Sequence, residues 1–157
     1  MKIRLLVTGK TEEPYLREGI LEYESRIRHY VPFEITEIPA LKNAATLSAA
    51  EQNAREADLI ERQIRPGDMV VLLDEQGREY RSVEFATFLN QRFLSGSKSL
   101  VFVVGGPFGF DPRLTKKAGF ILSLSKMTFS HQMVRLFFTE QLYRALSILR
   151  GTSYHHE

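Results

Sequence analysis

Leu100-Val-Phe-Val-Val-Gly-Gly-Pro-Phe-Gly-Phe110 is the stretch that decides the fold. Five apolar residues, three of them Val, have the character of a strand buried on both faces, which belongs at the centre of a parallel sheet. The glycine turn behind it lets backbone approach a ligand closely, and ligands of open α/β sheets bind beyond the carboxyl ends of strands. A purely structural turn would use the same residues. A second stretch, Leu122-Ser-Leu-Ser-Lys-Met-Thr-Phe-Ser-His-Gln-Met-Val-Arg135, offers Ser, Thr and Lys groups for the wall of a pocket between the two loops.

Working outward, apolar runs alternate with helical stretches, the pattern of a single α/β domain, residues 1–157, with a mostly parallel sheet flanked by helices. Lys2 to Thr8 reads as the first strand. Pro14, followed by Leu16, Ile20, Tyr23, Ile27 and Tyr30 at helical spacing, opens a helix that Pro32 stops. Phe33 to Ile38 is a second strand. Ser48 and Glu51 form a capping box for a helix reaching about Ile64. Asp68 to Leu73 is a third strand, with a turn expected at Asp74-Glu-Gln-Gly77. Ser82 is expected to cap a helix to Leu94. A short helix after Asp111-Pro112, a short strand near Phe120 to Leu124 and a long helix from about His131 to Arg150 complete the chain.

On that last helix Val134, Phe137, Phe138, Leu142, Ala145, Leu146, Ile148 and Leu149 spread over roughly half the circumference, with Leu136 and Tyr143 on a further sector. One sheet face does not cover so wide a band. Either the helix is deeply buried in its own domain or a self-complementary dimer covers the rest.

The 157 residues carry a net charge of +2, and 43% are apolar. Residues 1 to 110 hold 14 Lys and Arg against 16 Asp and Glu, whereas residues 111 to 157 hold 7 against 3. A solvated basic face or a phosphate-rich partner accounts for that asymmetry. Leu5 to Val7 is too short an apolar run for a signal peptide or membrane helix, so a cytoplasmic protein is expected. With no cysteine, disulfides and thiolate chemistry are excluded.

The glycine turn lacks the G-x-G-x-x-G spacing and no Lys-Ser/Thr follows, so it is neither a dinucleotide fingerprint nor a phosphate loop. The histidines show no metal-ligand spacing, and no metal is expected. His131 reads as a capping or packing residue. Glu140 and Arg144, at i,i+4, read as a surface ion pair worth about 0.3 to 0.5 kcal/mol. Arg135, in a helix flanked by apolar faces, needs a partner: an acidic side chain, a terminal carboxylate or an RNA phosphate. The end, Tyr154-His155-His156-Glu157, is either frayed or a stacking face with a titratable group suited to a nucleobase.

Phe102-Val-Val-Gly-Gly-Pro-Phe-Gly109, the stretch from Leu122 to Arg135, Glu140-Gln-Leu-Tyr-Arg-Ala145 and Tyr154-His155 together closely resemble the RlmH family of SPOUT-class methyltransferases. The likeness spans the chain, from Met1-Lys2-Ile3 and Gly9 through Glu37-Ile38-Pro39 to the end. It implies methylation of N3 of a pseudouridine in helix 69 of 23S ribosomal RNA, on the ribosome. It also implies a homodimer and a C-terminal trefoil knot, against the general rule that chains are unknotted. S-adenosylmethionine is then expected at Leu73, Gly105, Leu124, Ser125, Lys126, Met127, Thr128 and Phe129, read by backbone groups. Where family members often end Tyr-His-Arg or Tyr-His-Lys, this chain has His156.

The chemistry so implied is an in-line methyl transfer to a nitrogen that must lose a proton. Tyr154 or His155, delivered across a dimer interface, is expected to orient the base or take that proton, and Arg135 to hold RNA phosphate. A non-catalytic cofactor-binding ribosome assembly factor, a SPOUT methyltransferase acting on transfer RNA and, more remotely, a flavodoxin-like electron carrier are the alternatives.

Overall fold

The computed structural model describes residues 1–157. Five parallel strands, β1 (Lys2–Thr8), β2 (Phe33–Ile38), β3 (Asp68–Glu79), β4 (Ser99–Val104) and β5 (Phe120–Ser123), form one sheet in the order β2-β1-β4-β3-β5. All six residues of β4 are buried, and it pairs with β1 and β3 as the central strand. Five helices cover the faces: α1 (Pro14–Arg28), α2 (Ala49–Gln63), α3 (Ser82–Leu94), α4 (Pro112–Lys117) and α5 (Met133–Arg150).

Alternation along the strands sorts the core into two layers. Ile3, Leu5, Leu100 and Phe102 face Phe85, Phe88, Phe138 and Leu142 of α3 and α5. Leu6, Val101, Val103 and Leu72 face Ala57 and Ile60 of α2 and Leu114 of α4. Arg4 of β1 is a charged residue in this core, 2% exposed. It is retained because Glu34, Asp68 and the Gln63 carbonyl surround its guanidinium, tying β1 to β2 and β3.

Three local expectations change. β3 does not turn at Asp74 but continues to Glu79; Leu73 and Arg78 both align with Leu122, so the intervening residues bulge out of the pairing. Ser82 does not cap α3: Arg81 holds that position with no side-chain bond, and the Ser82 hydroxyl donates to Gln141 Oε1 at 3.4 Å. The long helix starts at Met133, because the Ser130 hydroxyl accepts from the Met133 amide and leaves His131 in the preceding turn.

The broad apolar band of α5 is covered largely from within the chain, since α5 packs against both α1 and α3. Leu136 reaches Gly19 of α1, and Tyr143 meets Tyr23 and Tyr30. Phe137 and Leu149 remain exposed, as do Tyr15 and Leu21 on α1. No helix is long and apolar enough to cross a membrane.

Gly77 sits where β3 passes β5, and a Cβ there would stand 2.6 Å from the Ile121 carbonyl carbon and oxygen. Backbone held in a sheet yields little. Gly77→Ala is expected to cost about 1 to 3 kcal/mol in urea unfolding; wild-type stability would show that the bulge is free to move.

Candidate active site

A parallel sheet puts every strand's carboxyl end on one edge, and three loops there enclose a cavity of about 460 Å³. That is within the roughly 300 to 1,000 Å³ usual for a small-molecule site. β3 contributes Asp74 to Gln76 from its bulge, β4 the glycine turn, β5 the segment Leu124 to Phe129, and the approach to α5 adds His131 and Val134.

The β3 and β5 loops are braced by their own side chains. Asp74 Oδ1 accepts from the Gln76 amide at 2.8 Å, Ser125 Oγ accepts from the Met127 amide at 3.0 Å, and Ser123 Oγ donates to the Ser125 carbonyl at 2.9 Å. Asx and Ser turns of this kind hold loops without regular structure. Thr128 Oγ1 donates to Glu75 Oε2 at 2.6 Å and so joins the β3 and β5 loops.

The electrostatics are one-sided. Asp74 and Glu75 line the cavity, His131 is its one imidazole, and no Lys or Arg contributes to the wall. The amides of Gly105, Thr128 and Phe129 donate to no acceptor within the protein, while Gly106 bridges to Gly109 across the turn. Such a cavity suits a cation presenting acceptors to backbone N–H groups and is a poor seat for a polyphosphate.

Seven of the eight residues expected to hold a cofactor, all but Lys126, line this cavity. The Lys126 side chain is 87% exposed and points to Glu79 at 3.9 Å. The residues expected at the chemistry are not gathered in one place. Arg135 is 1% exposed and is saturated by the chain itself. Its Nη2 donates to the Thr8 carbonyl at 2.7 Å, Nη1 to the Gly9 carbonyl at 2.9 Å and Thr11 Oγ1 at 3.0 Å, and Nε to the His131 carbonyl at 3.0 Å. Burial lowers its pKa, against the opposing charges of Glu37 and Glu12. The expected phosphate contact does not fit this arrangement: main-chain carbonyls take the place of the anion, and Arg135 is a brace.

Tyr154 and His155 form a second cluster further along α5. The Tyr154 hydroxyl donates to Glu140 Oε1 at 3.0 Å and lies 3.2 Å from the Tyr23 hydroxyl, while its ring meets Tyr143 edge-on at 4.7 Å. Arg144 bonds Glu140, covers the Tyr154 ring at 4.9 Å and approaches His155 Nδ1 at 3.3 Å. The end of the chain is therefore docked rather than frayed.

These contacts limit the roles. Burial first, then hydrogen bonds with Tyr23 and Glu140, pushes the Tyr154 phenol above its ordinary value of 10.0, so it stays protonated and serves as a donor rather than a base. An arginine only donates, so the contact with Arg144 makes Nδ1 of His155 the acceptor and leaves the neutral ring's hydrogen on Nε2. His155 is then set to donate to an oxygen beside it.

Asp74, Glu75, His131, Glu140 and Arg144 were not legible as site residues. The two acids read as a surface turn because the bulge that aims them is a product of pairing with β5. His131 neither caps nor packs, but stands exposed on the cavity wall. Glu140 and Arg144 do pair, as their spacing requires, and the pair then carries the tail.

Residues 1–155 match the family model described as "Predicted SPOUT methyltransferase". The chain is 52% identical over 157 residues to the ribosomal RNA large subunit methyltransferase H of Parabacteroides distasonis, covering all of both proteins. It is 50% identical over the same length, again with full coverage of both, to the protein of that name from Porphyromonas gingivalis. Among solved structures, a probable methyltransferase from Bordetella pertussis shares the fold with a TM-score of 0.57 at 12% identity, over 92% of this chain and 96% of that one. A probable methylase family protein from Haemophilus influenzae does so at 0.52 and 11%, over 99% and 70%.

The geometry makes two outcomes measurable. Arg135→Ala should lower stability by roughly 1.5 to 3 kcal/mol, since charged hydrogen bonds are lost and buried carbonyls are orphaned; an unchanged denaturation midpoint would mean that water replaces the guanidinium. A raised phenol pKa contributes stability that is whole below the unfolded value of 10.0 and fades as pH rises through the folded one. The stability advantage of wild type over Tyr154→Phe should therefore be level below pH 10.0 and shrink above it; a constant difference at all pH would contradict the buried hydroxyl.

Proposed function

The chain belongs to the SPOUT methyltransferase family, and on that premise we propose that it transfers a methyl group from S-adenosylmethionine to N3 of a pseudouridine in helix 69 of 23S ribosomal RNA. The observation that carries the cofactor assignment is the cavity lined by two carboxylates, no Lys or Arg, and free backbone N–H groups. The ribosomal RNA assignment is supported by the relatives, which match over their full length and carry that substrate in their names.

Bound in the cavity, the cofactor would supply an activated methyl on a sulfonium cation. Leu73, Gly105 and the segment Leu124 to Phe129 would hold it, without the side chain of Lys126, and Asp74 and Glu75 favour its positive charge over the neutral product. The acceptor nitrogen would give up its N–H proton to solvent water and meet the methyl in line, with neutral S-adenosylhomocysteine as the leaving group, so positioning would provide most of the acceleration. His155 donates from Nε2 to a carbonyl of the base, Tyr154 and Arg144 hold His155 and Glu140 in place, and Arg135 fixes the loop beneath.

Within one chain the tail cluster and the cavity lie apart. Glu140 is six residues beyond Val134, about 9 Å along α5 and on another side of it. A homodimer supplies the tail to its partner's cavity, and the exposed Tyr15, Leu21 and Phe137 on the adjoining helices α1 and α5 supply an apolar surface for it. The trefoil knot is part of the same reading; it is supported by the segment after β5 running beside the β3 and β4 loops before α5 packs back on α1. With a net charge of +2, tight binding to free RNA is not expected, and a preformed ribosomal surface in the cytoplasm is the better substrate.

Labelled methyl from S-adenosylmethionine should enter ribosomes lacking the modification, at a helix 69 pseudouridine, and not free 23S RNA or transfer RNA. Cofactor binding without transfer would identify a non-catalytic binding factor, and labelled transfer RNA a different substrate. His155→Ala is expected to lower kcat by about 10² while cofactor affinity stays within about twofold; equal loss of both would make the tail structural. Asp74→Asn should weaken S-adenosylmethionine more than S-adenosylhomocysteine in calorimetry, and equal weakening of both would remove the charge argument.

A further inference from the structure

Gly106 lines the cavity, yet its φ lies outside the left-handed region, so nothing in its backbone conformation calls for glycine. Space does. A Cβ on Gly106 would stand 2.4 Å from Glu56 Oε2 and 2.6 Å from Oε1. Glu56 belongs to α2, which covers the sheet face opposite α5, and it is not among the residues that line the cavity. Its side chain meets the glycine turn from outside that wall.

The surroundings of Glu56 make it a built contact. It is 5% exposed, Gln52 is 8% exposed, and Gln52 Nε2 donates to Glu56 Oε1 at 3.2 Å. Beside them Asn53 Nδ2 donates to the Phe108 carbonyl at 3.0 Å, so one side of α2 holds both limbs of the turn. Asn53 Oδ1 is buried without a partner. Apart from Gln52, the atoms that the Glu56 carboxyl end abuts are those of the glycine turn.

We infer that Glu56 is a positioning residue for the cofactor loop: its carboxylate occupies the space a side chain at position 106 would need and, with Asn53, holds the Gly105-Gly106 peptide in the form the cofactor meets. This rests on the reading of the cavity as the S-adenosylmethionine site. Glu56 touches neither cofactor nor RNA. Its effect passes through the backbone of the turn.

The test combines calorimetric binding of S-adenosylmethionine with amide hydrogen exchange of the full-length protein. Gly106→Ala should weaken binding about tenfold, because the new methyl and the Glu56 carboxylate then compete for the same space and the turn is displaced. Adding Glu56→Ala should bring affinity back to that of Glu56→Ala alone, whereas adding Glu56→Gln, which is as large, should not. Glu56→Ala alone should speed exchange of the Gly109 amide, which donates to the Gly106 carbonyl at 3.2 Å across the turn, about tenfold relative to the core, and Glu56→Gln should largely preserve its protection. Wild-type affinity in Gly106→Ala, or additive losses in the double variant, would overturn the inference. Failure of the wild type to bind S-adenosylmethionine would overturn the cofactor reading instead; the exchange experiment, which needs no ligand, would still decide whether Glu56 holds the loop.

Discussion

The buried guanidinium of Arg135 ties the last helix to the exit of the first strand, and the site is built around that junction. Its bonds to the Thr8 and Gly9 carbonyls are matched by Gln132, which accepts from the Glu12 amide at 2.9 Å and donates to the Lys10 carbonyl at 3.0 Å. Together they fix where α5 begins, and therefore where His131 and Val134 meet the cavity and where Glu140 and Arg144 receive the tail. Charged hydrogen bonds of this kind contribute roughly 1.5 to 3 kcal/mol each, against the desolvation of a full charge. Positional certainty is the main gain.

The second constraint is the direction of the sheet. With all strands parallel, their loops converge on one edge, and a loop cluster over a rigid sheet is where α/β proteins place their chemistry. The bulge in β3 then turns an ordinary strand end into a wall bearing two carboxylates. Two carboxylates, no Lys or Arg and a volume of about 460 Å³ at this edge suit a small-molecule cation, and no one side chain marks it.

Elements whose information is local are legible in the sequence. The apolar run Leu100 to Val104 specifies a central strand by itself, and Ser48 with Glu51 specifies a helix start; both stand where expected. The bulge at Asp74 was beyond reach because it arises from alignment with Leu122, some fifty positions later in the chain. The partners of Arg135 are hidden for the same reason: helix periodicity gives its direction, but the groups it bonds include the Thr8 and Gly9 carbonyls and the Thr11 hydroxyl, more than 120 positions earlier. The cavity residues came from resemblance to a family, since a site read by main-chain amides leaves little trace in side-chain identity. Glu56 was invisible, because its significance lies in an absent side chain at Gly106.

On the proposed reading, catalytic labour is divided along α5: one end lines the cavity, the other seats Tyr154 and His155, and a complete site takes one part from each of two chains. Mixing two separately inactive proteins, one altered in the cavity at Gly105 and one lacking the His155 imidazole, addresses this directly. Exchange of subunits should restore methyl transfer to ribosomes, with up to about a quarter of wild-type activity in an equal random mixture, because half the dimers are mixed and each has one intact site. A mixture as inactive as its components, with subunit exchange verified, would contradict an active site shared between chains.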